Sequence, residues 1–204
     1  MSDIDNRWVP KGESSEDASK LIWSSKSINE LLLALDQGYR PSVSMPFYEG
    51  KQFLRRGNIV FEYTNEEVTE LAKCANDIVY FAEKYAVVMT DNGVQQVKLR
   101  DYQKQMLRDF QHNRFNIVLA SRQMGKTVTA SIFNAWYLTF NYDKTTLLLA
   151  NKSESTKEII DKAKVVLENL PFFMKPGIIK YDVMNVRADN GCRLVGQSTT
   201  AKSG

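Results

Sequence analysis

Gly125, Lys126 and Thr127 stand where an apolar run enters a helix, and residue types in that order can hold a polyphosphate. The run is Ile117-Val118-Leu119-Ala120, followed by Ser121-Arg122-Gln123-Met124-Gly125-Lys126-Thr127. In such a turn the backbone N–H groups of Ser121, Gln123, Met124 and Gly125 converge on anionic oxygens, and the helix dipole favours negative charge at the same place. Lys126 can reach the β- and γ-phosphates, and the Thr127 hydroxyl can ligate Mg²⁺. The P-loop pattern G-x-x-x-x-G-K-[ST] asks for glycine where this chain has Ala120, which alanine can replace if that residue keeps a negative φ. The competing reading is a strand–helix turn with a chance Gly-Lys-Thr. It is disfavoured because a strand before the motif and a helix after it are the context the motif needs.

Further residues can act around that loop. Arg100, Tyr102 and Gln103 lie just upstream, at the start of the helix that feeds the loop strand. The Gln103 amide offers both a donor and an acceptor to an adenine edge, and Tyr102 or Arg100 can stack on the base. As a plain helix start the same residues need no explanation. Arg122 lies inside the loop, where a guanidinium can sit against a γ-phosphate as charge builds up during transfer, or can pair with a downstream carboxylate instead. An ATPase of this kind also needs a strand ending in Asp, often followed by Glu. The nearest mimic is Ile178-Ile179-Lys180-Tyr181-Asp182, with Val183 where Glu belongs. The chain ends at Ser203-Gly204 in a polar stretch, so the expectation is a sequence truncated before that acidic motif.

The elements that must position these residues follow from periodicity. Phe115 to Ala120 and Thr145 to Ala150 read as buried strands, and Ile178 to Tyr181 and Arg193 to Gly196 as further strands. Helices are predicted over Asp101 to His112, Lys126 to Phe140, and from Ser153 or Ser155 to Leu170. Thr64 with Glu67 forms a capping box for one long helix through Ala82, in which Tyr80, Phe81 and Tyr85 are core aromatics. Asp91-Asn92-Gly93 marks a hairpin between Val87–Thr90 and Val94–Leu99. Ile59 to Tyr63 reads as a short strand. Upstream, Met1 to about Lys20 reads as a polar arm. Ser27 to Gly38 reads as a helix with Leu31, Leu32 and Leu35 on one face, which Trp23 can extend, and Pro41 to Gly57 as an aromatic-rich connector. The chain therefore divides into residues 1–58, a helical N-terminal extension, and 59–204, the first part of an α/β domain. Strands alternating with helices predict a mostly parallel sheet flanked by helices on both faces.

Composition narrows the classes. With 204 residues, 43% of them hydrophobic and 25% charged, the chain can bury a real core. Its net charge of +3 permits contact with nucleic acid without requiring it. Cys74 and Cys192 lack the spacing of a metal site or a disulfide framework and read as reduced thiols of an intracellular protein. His112 is the only histidine, which leaves no His-rich metal site. No apolar run approaches membrane-spanning length.

Three segments carry a resemblance: Leu99-Arg100-Asp101-Tyr102-Gln103-Lys104-Gln105-Met106-Leu107, Ser121-Arg122-Gln123-Met124-Gly125-Lys126-Thr127, and Leu147-Leu148-Leu149-Ala150-Asn151-Lys152, with Gly196-Gln197-Ser198 beyond them. From about residue 60 to 204 the chain resembles the large terminase subunit of tailed bacteriophages, the T-even-like branch, in which the Ser-Arg-Gln-x-Gly-Lys-Thr loop normally lacks the first glycine. The resemblance implies a P-loop NTPase fold of RecA/helicase-like type and an ATP- and Mg²⁺-dependent motor that moves double-stranded DNA into a capsid without sequence preference. It implies Lys126 as the phosphate lysine, Thr127 as the Mg²⁺ hydroxyl, Arg122 as a cis arginine finger, and Arg100, Tyr102 and Gln103 as the adenine motif. Asn151-Lys152 would stand where related motors face DNA. The implied partners are a portal protein, a small terminase subunit and further copies in a ring, with a C-terminal nuclease in the full protein and the host cytoplasm as its setting. A helicase-like translocase, and a nucleotide-binding fragment that does not hydrolyse, are the alternatives.

Overall fold

The computed structural model describes residues 46–59 and 61–199, an α/β arrangement. The polar arm, the helix expected over 27–38 with Trp23, and the first residues of the connector lie outside the described residues.

Helix α1 (Asn65–Asn76) starts as its sequence requires. The Thr64 hydroxyl accepts the Glu67 N–H, and the Glu67 carboxylate accepts the Thr64 N–H at 2.8 Å. The single long helix expected there is broken at Asp77, and α2 (Ile78–Tyr85) follows. Short acidic side chains compete for nearby backbone donors. Here the Asp77 carboxylate accepts the N–H groups of Val79 and Tyr80. Gln111 closes the break from outside, donating to the Asn76 carbonyl at 2.8 Å and accepting the Ile78 N–H at 3.3 Å. No strand forms over the described part of 59–63. Phe61 instead stacks edge-on with Tyr63 and against Phe172.

A hairpin follows, β1 (Val87–Thr90) and β2 (Gly93–Gln96), with Gly93 at φ 92° where its turn needs a left-handed residue. Helix α3 (Asp101–His112) leads to residues 113–125, and α4 (Lys126–Phe140) begins at the Gly-Lys-Thr run. The remaining elements are β3 (Thr145–Ala150), α5 (Ser153–Asn169), β4 (Ile178–Tyr181), β5 (Asn185–Ala188) and β6 (Arg193–Ser198).

The sheet order is β3-β6-β5-β4, and only β3 and β6 run parallel. The sheet is thus mixed, not mostly parallel, because β5, a strand the sequence did not announce, turns the chain back between β4 and β6. Lys180, which interrupts the apolar run of β4, is exposed there. Successive strand residues point to opposite faces. Leu148, Leu194, Gly196 and Val186 share the face against α5, whereas Leu147 and Leu149 look out on the other. Among the described residues the helices cover one face only, a second departure from the expected two-sided packing.

Phe115 to Ala120 departs furthest. It pairs with no strand, Ile117 is 100% exposed and Leu119 101% exposed. Apolar composition predicts burial, but among the described residues nothing lies over this run.

Close packing fixes the rest. A Cβ on Gly196 would meet Thr156 Cγ2 at 2.5 Å and Ile160 Cδ1 at 2.7 Å, so glycine lets α5 lie on the sheet. Trp136 Nε1–H donates to the Cys74 carbonyl at 2.8 Å, tying α4 to α1. The connector docks on the sheet edge: Gly57 N–H donates to the Ile178 carbonyl at 2.9 Å, and Ile178 N–H to the Arg55 carbonyl at 2.7 Å. Buried Lys175 donates to the carbonyls of Phe53, Leu167 and Glu168, closing the end of α5. Burial pushes its amine down to about 8.

The aromatics expected in the core are there. Phe81 is fully buried, and the Tyr80 and Tyr85 hydroxyls donate to the Glu70 carboxylate at 3.0 and 2.8 Å, beside Lys84 at 2.7 Å. The hydrogen bond from Lys84 is the main cause holding Glu70 below the usual carboxylate range.

Two outcomes follow. Gly196→Ala should destabilise the protein by about 1–3 kcal/mol through overpacking, read as a lower urea midpoint at unchanged slope. Glu70→Gln should cost about 1 kcal/mol at neutral pH. Because the folded carboxylate titrates below its unfolded counterpart, its contribution is present above the ordinary glutamate range, about 4.3, and is lost as pH falls through the lowered value. The gap between wild type and Glu70→Gln should close on acidification, and a gap that widens would contradict the assignment.

Candidate nucleotide-binding site

The loop from Ser121 to Gly125 owes its shape to two left-handed residues, Gln123 at φ 63° and Gly125 at φ 70°. Glutamine adopts that region only at some cost, whereas glycine does so freely. Gly125 also lacks room: a Cβ there would meet Gln103 Nε2 at 2.5 Å. Conformation and contact both favour glycine.

Gln103 is 8% exposed and wedged under the loop. Its amide oxygen accepts the Arg100 N–H at 3.0 Å, and Nε2 points to the Thr129 hydroxyl at 3.5 Å. Thr129 in turn donates to the Gly125 carbonyl at 3.1 Å. The Tyr102 hydroxyl donates to the Met124 carbonyl at 3.0 Å. The first turn of α3 therefore grips the loop at two successive residues, bringing Tyr102 and Gln103 together with Met124 and Gly125 across more than twenty positions of sequence. Arg100 is exposed at the rim of this grip. Thr129 is the member that sequence reasoning missed. Its signal was a polar residue on the buried side of an otherwise apolar helix.

The Lys126 amine lies back across the loop, donating to the carbonyls of Ala120, at 2.9 Å, and Ser121. Arg122 and Ser121 are exposed, and Arg122 makes no hydrogen bond or ion pair among the described residues. Helix α4 is capped by Gly125, which brings no side-chain hydrogen bond, and has no acidic residue in its first turn. Its N–H groups, the Lys126 amine and the Arg122 guanidinium make this end electropositive, suited to an anion. Thr127 is half-buried one residue beyond Lys126, with its carbonyl accepting from Ser131 at 2.7 Å. Its hydroxyl can offer one oxygen to a divalent cation. No cluster of three His, Cys, Asp or Glu able to hold a metal exists among the described residues.

Cys74 and Cys192 are both buried, and burial pushes the Cys74 thiol up to about 12, leaving it inert. No described helix is long and apolar enough to cross a membrane. Asn151 and Lys152 are exposed at the end of β3.

Residues 117–204, a span that takes in the loop, α4, α5 and the sheet, match the family described as terminase large subunit, T4likevirus-type, N-terminal.

Proposed function

We propose that the loop binds ATP and that the chain supplies the nucleotide-binding part of a motor driving double-stranded DNA into a viral capsid. The match of residues 117–204 to the large terminase family points to a role in DNA packaging. The observation that carries the finer reading is the grip of Tyr102 and Gln103 on a loop whose lysine can swing from two carbonyls to a phosphate. In this reading the fold is that of a P-loop NTPase of RecA/helicase-like type, and ATP with Mg²⁺ supplies the transferable phosphoryl group.

Each side chain then has a task. The Lys126 amine exchanges the carbonyls of Ala120 and Ser121 for β- and γ-phosphate oxygens and offsets their charge. Thr127 lends its hydroxyl to the cation. Ser121, Gln123, Met124 and Gly125 present backbone N–H groups to the phosphates. Arg122, unpaired among the described residues, offsets charge building on the γ-phosphoryl during transfer. Arg100, Tyr102 and Gln103 serve the base side. DNA is met by lysines and arginines reading phosphates without sequence preference. A portal protein, a small terminase subunit, a ring of copies, a C-terminal nuclease and the host cytoplasm complete the proposal as the family resemblance frames it.

A second reading is nucleotide binding with little turnover by this chain alone, since the nearest strand-end mimic, Ile178 to Asp182, carries Val183 where the activating Glu belongs. Single-turnover hydrolysis separates the two readings.

Lys126→Ala should lower ATP affinity and cut any turnover a hundredfold or more; normal binding and turnover would refute the site. Arg122→Ala should leave ATP affinity within a few-fold while cutting turnover about a thousandfold. If it weakened binding and turnover alike, Arg122 would be a ground-state ligand.

A further inference from the structure

A cavity of about 370 Å³ opens beside the loop, lined by Val88, Gln95, Gln96, Val97, Lys98, Gln103 and Val128. The last two already belong to the site. Gln103 is the residue pressed on Gly125, and Val128 is one helical position past Thr127. The cavity and the phosphate loop therefore share a wall. Everything else lining the cavity comes from the hairpin and the two residues after it, which the proposed site had not used.

The lining has two characters. Val88, Val97 and Val128 give apolar surface that suits the face of a flat ring. The Gln95 and Lys98 side chains are exposed and make no hydrogen bond or ion pair among the described residues, so their polar tips are available to a ligand edge. Val88 and Gln95 face each other across the hairpin, which puts ring surface and edge donor side by side.

The hairpin is braced, not loose. The Gln96 amide donates to the carbonyls of Glu83 and Lys84 at the end of α2, at 2.5 and 3.1 Å. Val97 N–H donates to the Ala86 carbonyl at 3.0 Å. Such a wall can discriminate between ligands, because it does not have to be ordered by them.

We propose that the β1–β2 hairpin forms the second wall of a purine-nucleotide pocket, with Gln95 and Lys98 contacting the base and sugar opposite Gln103. This rests on the reading of the loop as an ATP site. It adds an element, residues 88 to 98, that decides which nucleotide the loop accepts.

The test compares ATP with tripolyphosphate, which has the anionic tail and no base, by calorimetric titration of the full chain. The readout is the ratio of the two affinities, since a change in overall charge acts on both ligands. Gln95→Ala and Lys98→Ala should each lower ATP affinity about five- to tenfold relative to tripolyphosphate, the loss of one or two hydrogen bonds. An unchanged ratio in both variants, with Lys126→Ala weakening both ligands, would overturn the hairpin assignment and leave the loop assignment standing. Absence of ATP binding by wild type, or binding indifferent to Lys126→Ala, would remove the loop reading and the hairpin with it.

Discussion

The contact of Gln103 with Gly125 is the constraint on which the site depends. A side chain from one helix occupies the volume that a Cβ would need in the loop before another. A side chain at position 125 would be strained by the left-handed turn and would have to displace the Gln103 amide that seats the first turn of α3. Two backbone problems, an orphan N–H at the start of α3 and a tight reversal before α4, are met by one amide. Thr129 and Tyr102 repeat the logic on either side. The loop is thus held from beneath by packed, hydrogen-bonded groups, while the Lys126 amine rests on two loop carbonyls and Arg122 stands exposed. A preorganised backbone suits an anion site, because little order must be imposed when an anion arrives.

The remainder of the fold keeps α4 in place. Ser131 lets α4 approach α5 closely enough to donate to the Ile159 carbonyl at 3.0 Å, and Gly196 lets α5 approach the sheet. Trp136 fixes α4 to α1 from the opposite side. A chain of small residues and single hydrogen bonds runs in this way from the sheet through α5 and α4 to Gly125. Lys175 closes the far end of α5, where three carbonyls need a donor and the chain supplies one amine.

Sequence reasoning went furthest where the signal is local. The capping box at Thr64, the Asn-Gly hairpin, and the limits of α3 and α4 depend on residues within one turn of each other, and the structure places them as read. Tyr102 and Gln103 meet the loop, although the helix that carries them was read separately from it. Failures came where a distant partner decides. Asp77 broke a periodic helix because Gln111, more than thirty residues on, could satisfy both new ends. β5 escaped notice because Asn185-Val186-Arg187-Ala188 has only two buried residues, and its place was set by neighbours. Phe115 to Ala120 was read as a buried strand from composition, which reports what a segment prefers and not what covers it. The hairpin beside the cavity was legible as a hairpin, but its approach to Val128 was not.

That exposed run has a consequence for the protein in bulk. Among the described residues Ile117 and Leu119 are fully exposed, and β3 is the edge strand of its sheet with Leu147 and Leu149 outward. Unpaired backbone and bare apolar surface together form a template that any extended chain can extend. A net charge of +3 on 204 residues gives little repulsion to oppose such encounters. Concentration thereby becomes a structural variable: crowded molecules satisfy at one another's expense what a dilute one leaves to solvent.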